Sequence, residues 1–424
     1  MDSSATLWKW RPTEELSSLV GAASLFLSVN EAKVILDSPM WCSSIAELRL
    51  RSAGFSCDRI YSLFIEEEDL VFGCKKKLLQ TLHEAEVDAK EELLCIAVNC
   101  GPAMVGDDIK GICASVVGKV PVAIADAGGF TGDFDDGYAK ALLAVLKAVK
   151  VSPCKKTKKS VNIIGYSPME RYAQGTLQEL KRMLAACGIA VNFTAGESGC
   201  SVDDIELIGK AEYNIVINRE RGLTTAKWLE ETLAQPYISA AVPYGIQGCR
   251  EWICTIASAM GVTVPGKFEN ELQKLQKEIF QARMQTFHTD LNVGRCVLSG
   301  TYDRIVPLAR AVQREWENAN IYVSISDKDE KSEEFNHWDV QEMLPELQEN
   351  SLQILVGTEI DRILLGNIER TIFISIDDGT NSIRTAQGTV AGICGWAAFM
   401  EQILAQYRYF SFISPLENSD KTKV

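Results

Sequence analysis

Thiols are the residues whose type and spacing could do chemistry in this sequence, which has thirteen cysteines and only three histidines. Cys42 follows an apolar segment in DSPMWCSSIAELRL, and Cys100 follows the apolar run at 94–98 in LLCIAVNCGPAMVGDDIKGIC. Each lies at a predicted element boundary, where side chains reach a shared surface at the carboxyl ends of strands. Soft thiolates in such positions suit an iron–sulfur cluster.

Burial in a core is the alternative for any single cysteine, because free cysteine is among the most buried residue types. We expect that role for eight thiols: Cys57, Cys74, Cys95, Cys113, Cys187, Cys254, Cys296 and Cys394. The pair Cys249 and Cys254 could supply alternative ligands, but their spacing of five at an apolar helix start favours burial.

The acidic pair Asp107 and Asp108 could act as an acid and a base, or could satisfy free N–H groups at a helix N-terminus. Capping is the favoured interpretation. The glycines that follow in GGFTGDFDDGYAKAL are predicted to form loops near the cluster or a subunit interface: Gly128, Gly129, Gly132 and Gly137.

Several other chemistries find no support. The sequence has no GxxxxGK[ST] or GxGxxG phosphate loop, no CxxC zinc spacing and no GxSxG nucleophile elbow. A net charge of −14 argues against a nucleic-acid partner. The N-terminus lacks a secretory n-region, and the apolar stretch at 19–29 is too short to cross a bilayer. A cytoplasmic, reduced protein with no membrane partner is therefore expected.

Short apolar runs alternate with amphipathic stretches along the chain. The runs rich in Val and Ile predict strands at 94–98, 120–125, 161–164, 189–193, 213–217, 296–298, 321–325, 352–356 and 371–374. Helices are predicted at 138–149, 169–187, 226–234, 252–260 and 302–315. This alternation is typical of a doubly wound α/β architecture.

Two segments of the sequence indicate domain boundaries. The first is the basic connector SPCKKTKKS at 152–160, and the second surrounds a long predicted helix in the segment 265–290. We therefore predict three α/β domains, at 1–155, 156–290 and 291–424, each of an ordinary domain size.

A family resemblance sharpens the interpretation of the thiols. VGAASL at 20–25, SPMWC at 38–42, VFGCKKKL at 71–78, CGPAMVGDDIKGI at 100–112 and GGFTGDFDDGYAKAL at 128–142 resemble the nitrogenase component 1 family. That family includes the molybdenum–iron protein subunits, a cofactor-assembly scaffold pair and the dark-operative reductases of chlorophyll biosynthesis. The resemblance implies three Rossmann-like domains, each a mostly parallel sheet flanked by helices, and subunit pairing around a cluster.

The resemblance also implies site residues. The first of the family's three cluster-binding cysteines falls on Ser17, and the second and third match Cys42 and Cys100. Catalytic subunits of the family hold an active-site cofactor through a Cys and a His, whose positions fall on Asn218 and Ala391. Neither side chain can replace its counterpart, so this chain is not expected to hold such a cofactor by itself.

The implied function is that of an oxidoreductase subunit. It would share an iron–sulfur cluster, of the 4Fe–4S or P-cluster type, with a second copy or a homologous chain, and a separate ATP-dependent iron protein would supply electrons. Two alternatives stay open: a scaffold on which a precursor cluster is assembled without substrate turnover, and a metal-free structural partner. A substrate could be dinitrogen-like, a tetrapyrrole, a sulfur compound or none.

Overall fold

The computed structural model describes residues 16–85, 93–116, 120–286, 293–316, 320–325, 332–337, 352–358, 361–362, 371–376 and 388–420. They fall into two compact units. The N-terminal unit lies within 16–170 and 189–239, and the C-terminal unit lies within 171–188 and 240–420.

The N-terminal unit begins with a four-stranded, wholly parallel sheet. Its strands are β1 (Ala32–Asp37), β2 (Ile60–Ser62), β3 (Leu93–Val98) and β4 (Val122–Asp126), in the order β2-β1-β3-β4. Seven helices accompany it: α1 (Ser18–Ser28), α2 (Met40–Ser52), α3 (Glu67–Phe72), α4 (Lys75–Glu84), α5 (Cys100–Val105), α6 (Ile109–Val116) and α7 (Phe134–Val149). All six residues of β3 are buried, as expected for a central parallel strand that reads LLCIAV.

Helices α1 and α7 pack at very short range. A Cβ added at Gly21 would lie 2.0 Å from the Phe134 carbonyl oxygen, and one added at Gly137 would lie 2.0 Å from the Ser18 carbonyl oxygen. Only glycine therefore fits at either position. The prediction that Gly137 forms a loop was wrong, because this residue belongs to the first turns of α7 and lets α1 approach its backbone.

A second parallel sheet completes this unit. It contains β5 (Ser160–Ile164), β6 (Ala190–Thr194), β7 (Tyr213–Val216) and β8 (Tyr237–Ser239), in the order β6-β5-β7-β8, with helices α9 (Val202–Glu206) and α10 (Arg219–Leu233). Neighbouring strands are linked by amides: the Asn162 side chain donates to Asn214 Oδ1 at 2.9 Å and accepts from Asn192 Nδ2 at 2.9 Å. Between β5 and β6 the chain forms α8 (Ala173–Ala186), which groups with the C-terminal unit.

The C-terminal unit contains the third parallel sheet. Its strands are β9 (Arg295–Gly300), β10 (Ile321–Ile325), β11 (Asn336–His337), β12 (Gln353–Gly357) and β13 (Thr371–Ser375), in the order β11-β10-β9-β12-β13. Its helices are α8, α11 (Gly245–Ala259), α12 (Gly266–Met284), α13 (Tyr302–Glu315) and α14 (Gly392–Asp420). In the described part of the chain no helix has both the length and the apolar character needed to cross a bilayer.

The predicted fold class is confirmed: three parallel sheets are each flanked by helices. All nine predicted strands form, and four further strands, β1, β2, β8 and β11, were missed. Strands β2, β8 and β11 are only two or three residues long, which is too short to form a recognisable apolar run. Strand β1 (AKVILD) carries a charged residue near each end, which interrupts its apolar run. The domain boundaries near 155 and 290 stay predictions.

Candidate functional site at the carboxyl edge of the first sheet

The two candidate thiols begin helices at the carboxyl ends of adjacent strands. Strand β1 leads through Ser38 and Pro39 into α2, where Cys42 is the third residue, and β3 leads through Asn99 into α5, where Cys100 is the first. Because β1 and β3 are parallel neighbours with Asp37 opposite Val98, both helices begin at the same edge of the sheet. The topology therefore brings Cys42 and Cys100 to one edge, as expected.

Backbone hydrogen bonds hold Cys100 in place. Its own N–H donates to Asn99 Oδ1 at 2.7 Å, and its Sγ accepts the Gly129 N–H at 2.9 Å. A Cβ added at Gly128 would lie 3.4 Å from the Cys100 backbone, and one at Gly129 would lie 3.9 Å from its sulfur. Both glycines lie beside Cys100, and the Gly129 N–H dipole points at its sulfur. Their expected position near a cluster or a subunit interface stays a prediction.

The loop that carries Gly129 is shaped by Asp126, the last residue of β4. Asp126 Oδ1 accepts from the Gly128 N–H at 3.1 Å and from the Thr131 hydroxyl at 3.2 Å. This turn directs the Gly129 N–H toward the Cys100 sulfur. Neither Asp126 nor Thr131 was predicted from the sequence, although an Asp followed two residues later by Gly-Gly is a recognisable turn signal.

Cys42 is half-buried and packs against the core of the N-terminal unit. The turn before it is tied by a 2.6 Å hydrogen bond between the buried Ser38 and Ser43 hydroxyls, and the Ser43 N–H donates to the Pro39 carbonyl. These contacts fix the first turn of α2, so Cys42 is presented from a rigid element.

Ser17 is exposed and immediately precedes α1, where its hydroxyl makes no capping hydrogen bond. A single antiparallel bridge pairs it with Asp133, at the end of the loop that contains Gly129. Ser17 and Cys100 therefore adjoin different ends of one loop. Within the described ranges, no group of three or more His, Cys, Asp or Glu side chains is arranged to hold a single metal ion.

A buried acid lies at the same edge. Asp37 is only 2% exposed, and its Oδ1 has no hydrogen-bond partner among the described residues. Burial, and then the carboxylates of Asp107 and Asp69, raise the pKa of Asp37 to about 7. Burial, and then the carboxylates of Asp37, Asp107 and Asp69, raise the pKa of the Cys74 thiol to about 12, so Cys74 is a neutral thiol. Asp37 was not predicted from the sequence because nothing in its local pattern marks it.

The acidic pair caps helices, as predicted. Asp107 Oδ2 accepts from the Cys74 N–H at 2.5 Å, at the start of α4, and Asp108 Oδ1 accepts from the Gly111 N–H at 2.9 Å, in the first turn of α6. Both carboxylates thus satisfy free N–H groups at positive helix ends.

Exposed apolar side chains lie on the helices that carry the two candidate thiols and on neighbouring segments. We call this surface the apolar band; it comprises the exposed apolar side chains of α2, α3 and α5 and of the loops after β2 and β4. Its most accessible members are Phe72 (87%), Phe130 (85%), Met104 (80%) and Trp41 (74%). A single β-bridge between Pro39 and Ile65 joins the loop after β2 to the start of α2, and Leu70 lies over Gly101 beside Cys100. Leu70 of the band therefore lies next to the residue that follows Cys100.

At the two positions where catalytic relatives are expected to hold a cofactor, this chain has structural residues. Asn218 Oδ1 accepts from the Arg221 N–H at 2.9 Å and so caps α10, and Ala391 is 1% exposed. Neither side chain can bind a metal here.

Most of the thiols expected in the core are buried: Cys57, Cys74, Cys95, Cys113, Cys187 and Cys296, with Cys249. The prediction was wrong for Cys254 and Cys394, which are exposed. Cys254 lies on the outer side of the amphipathic helix α11. Cys394 lies at the start of α14, where its N–H donates to Glu179 Oε1 at 3.0 Å.

The three parallel sheets and the thiol-bearing edge define a class of protein. The chain belongs to the family of nitrogenase component 1 type oxidoreductases, whose family model matches residues 17–385. The expected family membership is thus confirmed.

Individual relatives match the chain at low sequence identity and over only part of their length. The chain is 25% identical over 255 residues to the B-type subunit of light-independent protochlorophyllide reductase from Cereibacter sphaeroides, covering 60% of this chain and 47% of that one. It is 30% identical over 191 residues to the corresponding polypeptide of Pelodictyon phaeoclathratiforme, covering 45% and 35%. The matches thus span about half or less of these relatives' length. A solved structure described as nitrogenase Cp1 at pH 6.5 superposes with a TM-score of 0.76 at 16% identity, covering 92% of each chain, which shows the shared fold.

Proposed function

We propose that this chain is a component 1 type subunit that helps to bind an iron–sulfur cluster, shared with a second subunit, through Cys42 and Cys100. In this proposal Ser17 occupies the third position beside the cluster, and a separate ATP-dependent iron protein delivers electrons to the complex in the cytoplasm. The observation that carries the proposal is the placement of both thiols at one sheet edge, on helices that also expose apolar side chains.

The donor set fits such a cluster. Thiolates are the usual protein ligands of iron–sulfur clusters, and hydrogen bonds to the sulfurs tune the reduction potential. The Gly129 N–H already donates to Cys100 Sγ. Two thiols are half of the four ligands that a cubane takes, and a partner across the apolar band would provide the rest. A bound cluster supplies one-electron transfer, while this chain provides ligands, an apolar surround and the positioning of the Gly129 amide.

The test is anaerobic purification with iron and sulfide analysis of matched variants. We expect Cys42→Ala and Cys100→Ala to lose most of the iron, whereas Cys57→Ala, which removes a buried thiol of the same unit, keeps it. Ser17→Ala tests the third position, and Ser17→Cys should keep at least the wild-type iron content because it restores a thiolate. Equal iron in Cys42→Ala and Cys57→Ala would remove the ligand assignment, and iron-free wild type would favour the metal-free partner.

A scaffold function is the second candidate. It is favoured by Asn218 and Ala391, which cannot hold an active-site cofactor. Adding an iron protein, ATP and a reductant to the iron-loaded chain separates the two functions. Protochlorophyllide, which the name of the relatives specifies, is the first substrate to test; turnover supports a reductase, and cluster transfer to an acceptor protein without turnover supports a scaffold.

A further inference from the structure

The segment 147–159, which we call the basic segment, concentrates positive charge in an acidic protein. It reads KAVKVSPCKKTKK and contains six lysines, no arginine and no acid, whereas the whole chain has a net charge of −14. All of these lysines except Lys156 are exposed, and none of the six forms an ion pair with a residue that the structure describes. Because a surface of one sign attracts the opposite charge, anions should collect at this segment.

The basic segment has a fixed backbone. It connects the end of α7 to the start of β5 and packs against the 3₁₀ turn Leu207–Lys210. The Thr157 N–H donates to the Lys210 carbonyl at 2.8 Å, and a Cβ added at Gly209 would lie 2.9 Å from the Ser152 carbonyl oxygen. This packing brings a seventh lysine, Lys210, next to the segment.

Carboxylates do not balance this charge by direct pairing. Glu212 Oε2 accepts the backbone N–H of Lys159 at 2.8 Å, so this acid binds the main chain of the segment. Helix α9 precedes the 3₁₀ turn, and its exposed acids Asp203 and Glu206 form no ion pair within the described residues. The ammonium groups of the segment are therefore available to an anion from solution.

Lys156 differs from the other lysines of the segment because its ammonium group is buried. Its Nζ is shielded from solvent and makes no hydrogen bond with any described residue. Burial lowers the pKa of the Lys156 amine, and the neighbouring Cys154 only partly opposes this shift. An ammonium removed from water without a partner costs several kcal/mol, and a hydrogen-bonded anion offsets that cost. Because the side chain is only half-buried, rotation of its end can bring Nζ to an anion at the surface.

The kind of charge favours a compact phosphate group. Lysine binds phosphate as a point charge, whereas arginine is the usual fork for a carboxylate, and the segment has no arginine. It also has no aromatic side chain on which a nucleic-acid base could stack. The rest of the chain is even more acidic than its net charge of −14, so an extended polyanion would meet repulsion outside the segment.

We propose that the basic segment, together with Lys210, binds a compact polyphosphate group, with Lys156 as its central ammonium. Inorganic triphosphate and a nucleoside triphosphate both carry this group. The site lies at the amino end of β5 in the second sheet, whereas the candidate thiols lie at the carboxyl edge of the first sheet. The proposal does not depend on an iron–sulfur cluster.

Isothermal titration calorimetry of the full chain at low ionic strength, with inorganic triphosphate as the probe, tests the site. Wild type should bind triphosphate more tightly than diphosphate, and diphosphate more tightly than phosphate. Lys156→Met keeps most of the side-chain length and should weaken triphosphate binding at least about tenfold, because a hydrogen bond to a charged group is lost. Triphosphate should raise the Tm of wild type and not that of Lys156→Met.

A double variant at exposed positions keeps the test independent of the folding of Lys156→Met. K155M/K158M removes two exposed ammonium groups of the segment and should also weaken binding about tenfold. K75M/K76M makes the same change in net charge at exposed positions of α4, and its affinity should stay within about twofold of wild type.

Two further titrations identify the source of the phosphate. ATP should bind about as tightly as inorganic triphosphate, and adenosine should not bind. A wild type that binds no triphosphate, an affinity that Lys156→Met and K155M/K158M leave unchanged, or an equal loss in K75M/K76M would each overturn the proposal. Binding that requires the adenosine moiety, or tighter binding of a hexaglutamate peptide, would also overturn it, the latter in favour of an acidic protein partner.

Discussion

Replacing Asp37 with Asn should make the N-terminal unit less sensitive to pH. In the folded chain burial, Asp107 and Asp69 raise the pKa of Asp37 from 3.8 to about 7. The folded state therefore holds this proton more tightly than the unfolded state does. The stabilisation is fully present below about pH 3.8 and is lost as the pH rises to about 7.

The size of the effect follows from the shift. Each unit of pKa corresponds to about 1.4 kcal/mol, so ionising Asp37 in the folded state costs on the order of 4 kcal/mol in total. Because the unfolded chain is already largely ionised at pH 5, roughly 2–3 kcal/mol of this cost falls between pH 5 and 8. Asn has the same shape and no charge, so Asp37→Asn should be about 1–2 kcal/mol more stable than wild type at pH 5 and about 4 kcal/mol more stable at pH 8. The pairing of Asp69 with Lys77 is the same in both proteins.

Urea unfolding followed by hydrogen exchange of peptides from β1 and β3 measures this unit separately from the C-terminal unit. Asp203→Asn, at an exposed carboxyl of α9, is the control. If the difference in unfolding free energy between wild type and Asp37→Asn is equal at pH 5 and pH 8, the assignment of a buried, proton-holding Asp37 is refuted.

Three further predictions concern packing. Gly137→Ala should destabilise the N-terminal unit by at least about 1–3 kcal/mol in urea unfolding, whereas Gly248→Ala, in α11 with open space at its Cβ, should be neutral or slightly stabilising. Asn162→Ala should lower the free energy of unfolding by about 1–3 kcal/mol, because it leaves the buried Asn214 amide without its partner. The loss should be larger than for Asn192→Ala, whose side chain is exposed. Equal losses in the two variants would contradict a buried hydrogen bond between Asn162 and Asn214. Mass spectrometry after brief alkylation of the native protein should find Cys254 modified while the fully buried thiols stay unmodified, and the reverse order would contradict the packing of α11.

Much of the fold could be predicted because parallel strands buried on both faces leave a strong local signal. Runs such as LLCIAV and the helical stretches between them predict nine of the strands and the α/β class. The signal fails for β1, whose buried Asp37 ends the strand, and for strands of two or three residues, which exist only because a longer neighbour pairs with them. It also fails for Cys254, since residue type alone does not give the orientation of a side chain on a helix.

For the candidate site, local pattern determines which side chains are available: thiols after β3 and at the start of α2, carboxylates that cap helices, and a turn after β4. Tertiary structure decides how they act. The Gly129 amide reaches Cys100 across 29 residues, Asp37 lies within reach of two carboxylates from distant segments, and Gly137 lets α1 touch α7. These properties arise from contacts between residues far apart in the chain, so no short stretch of sequence can encode them.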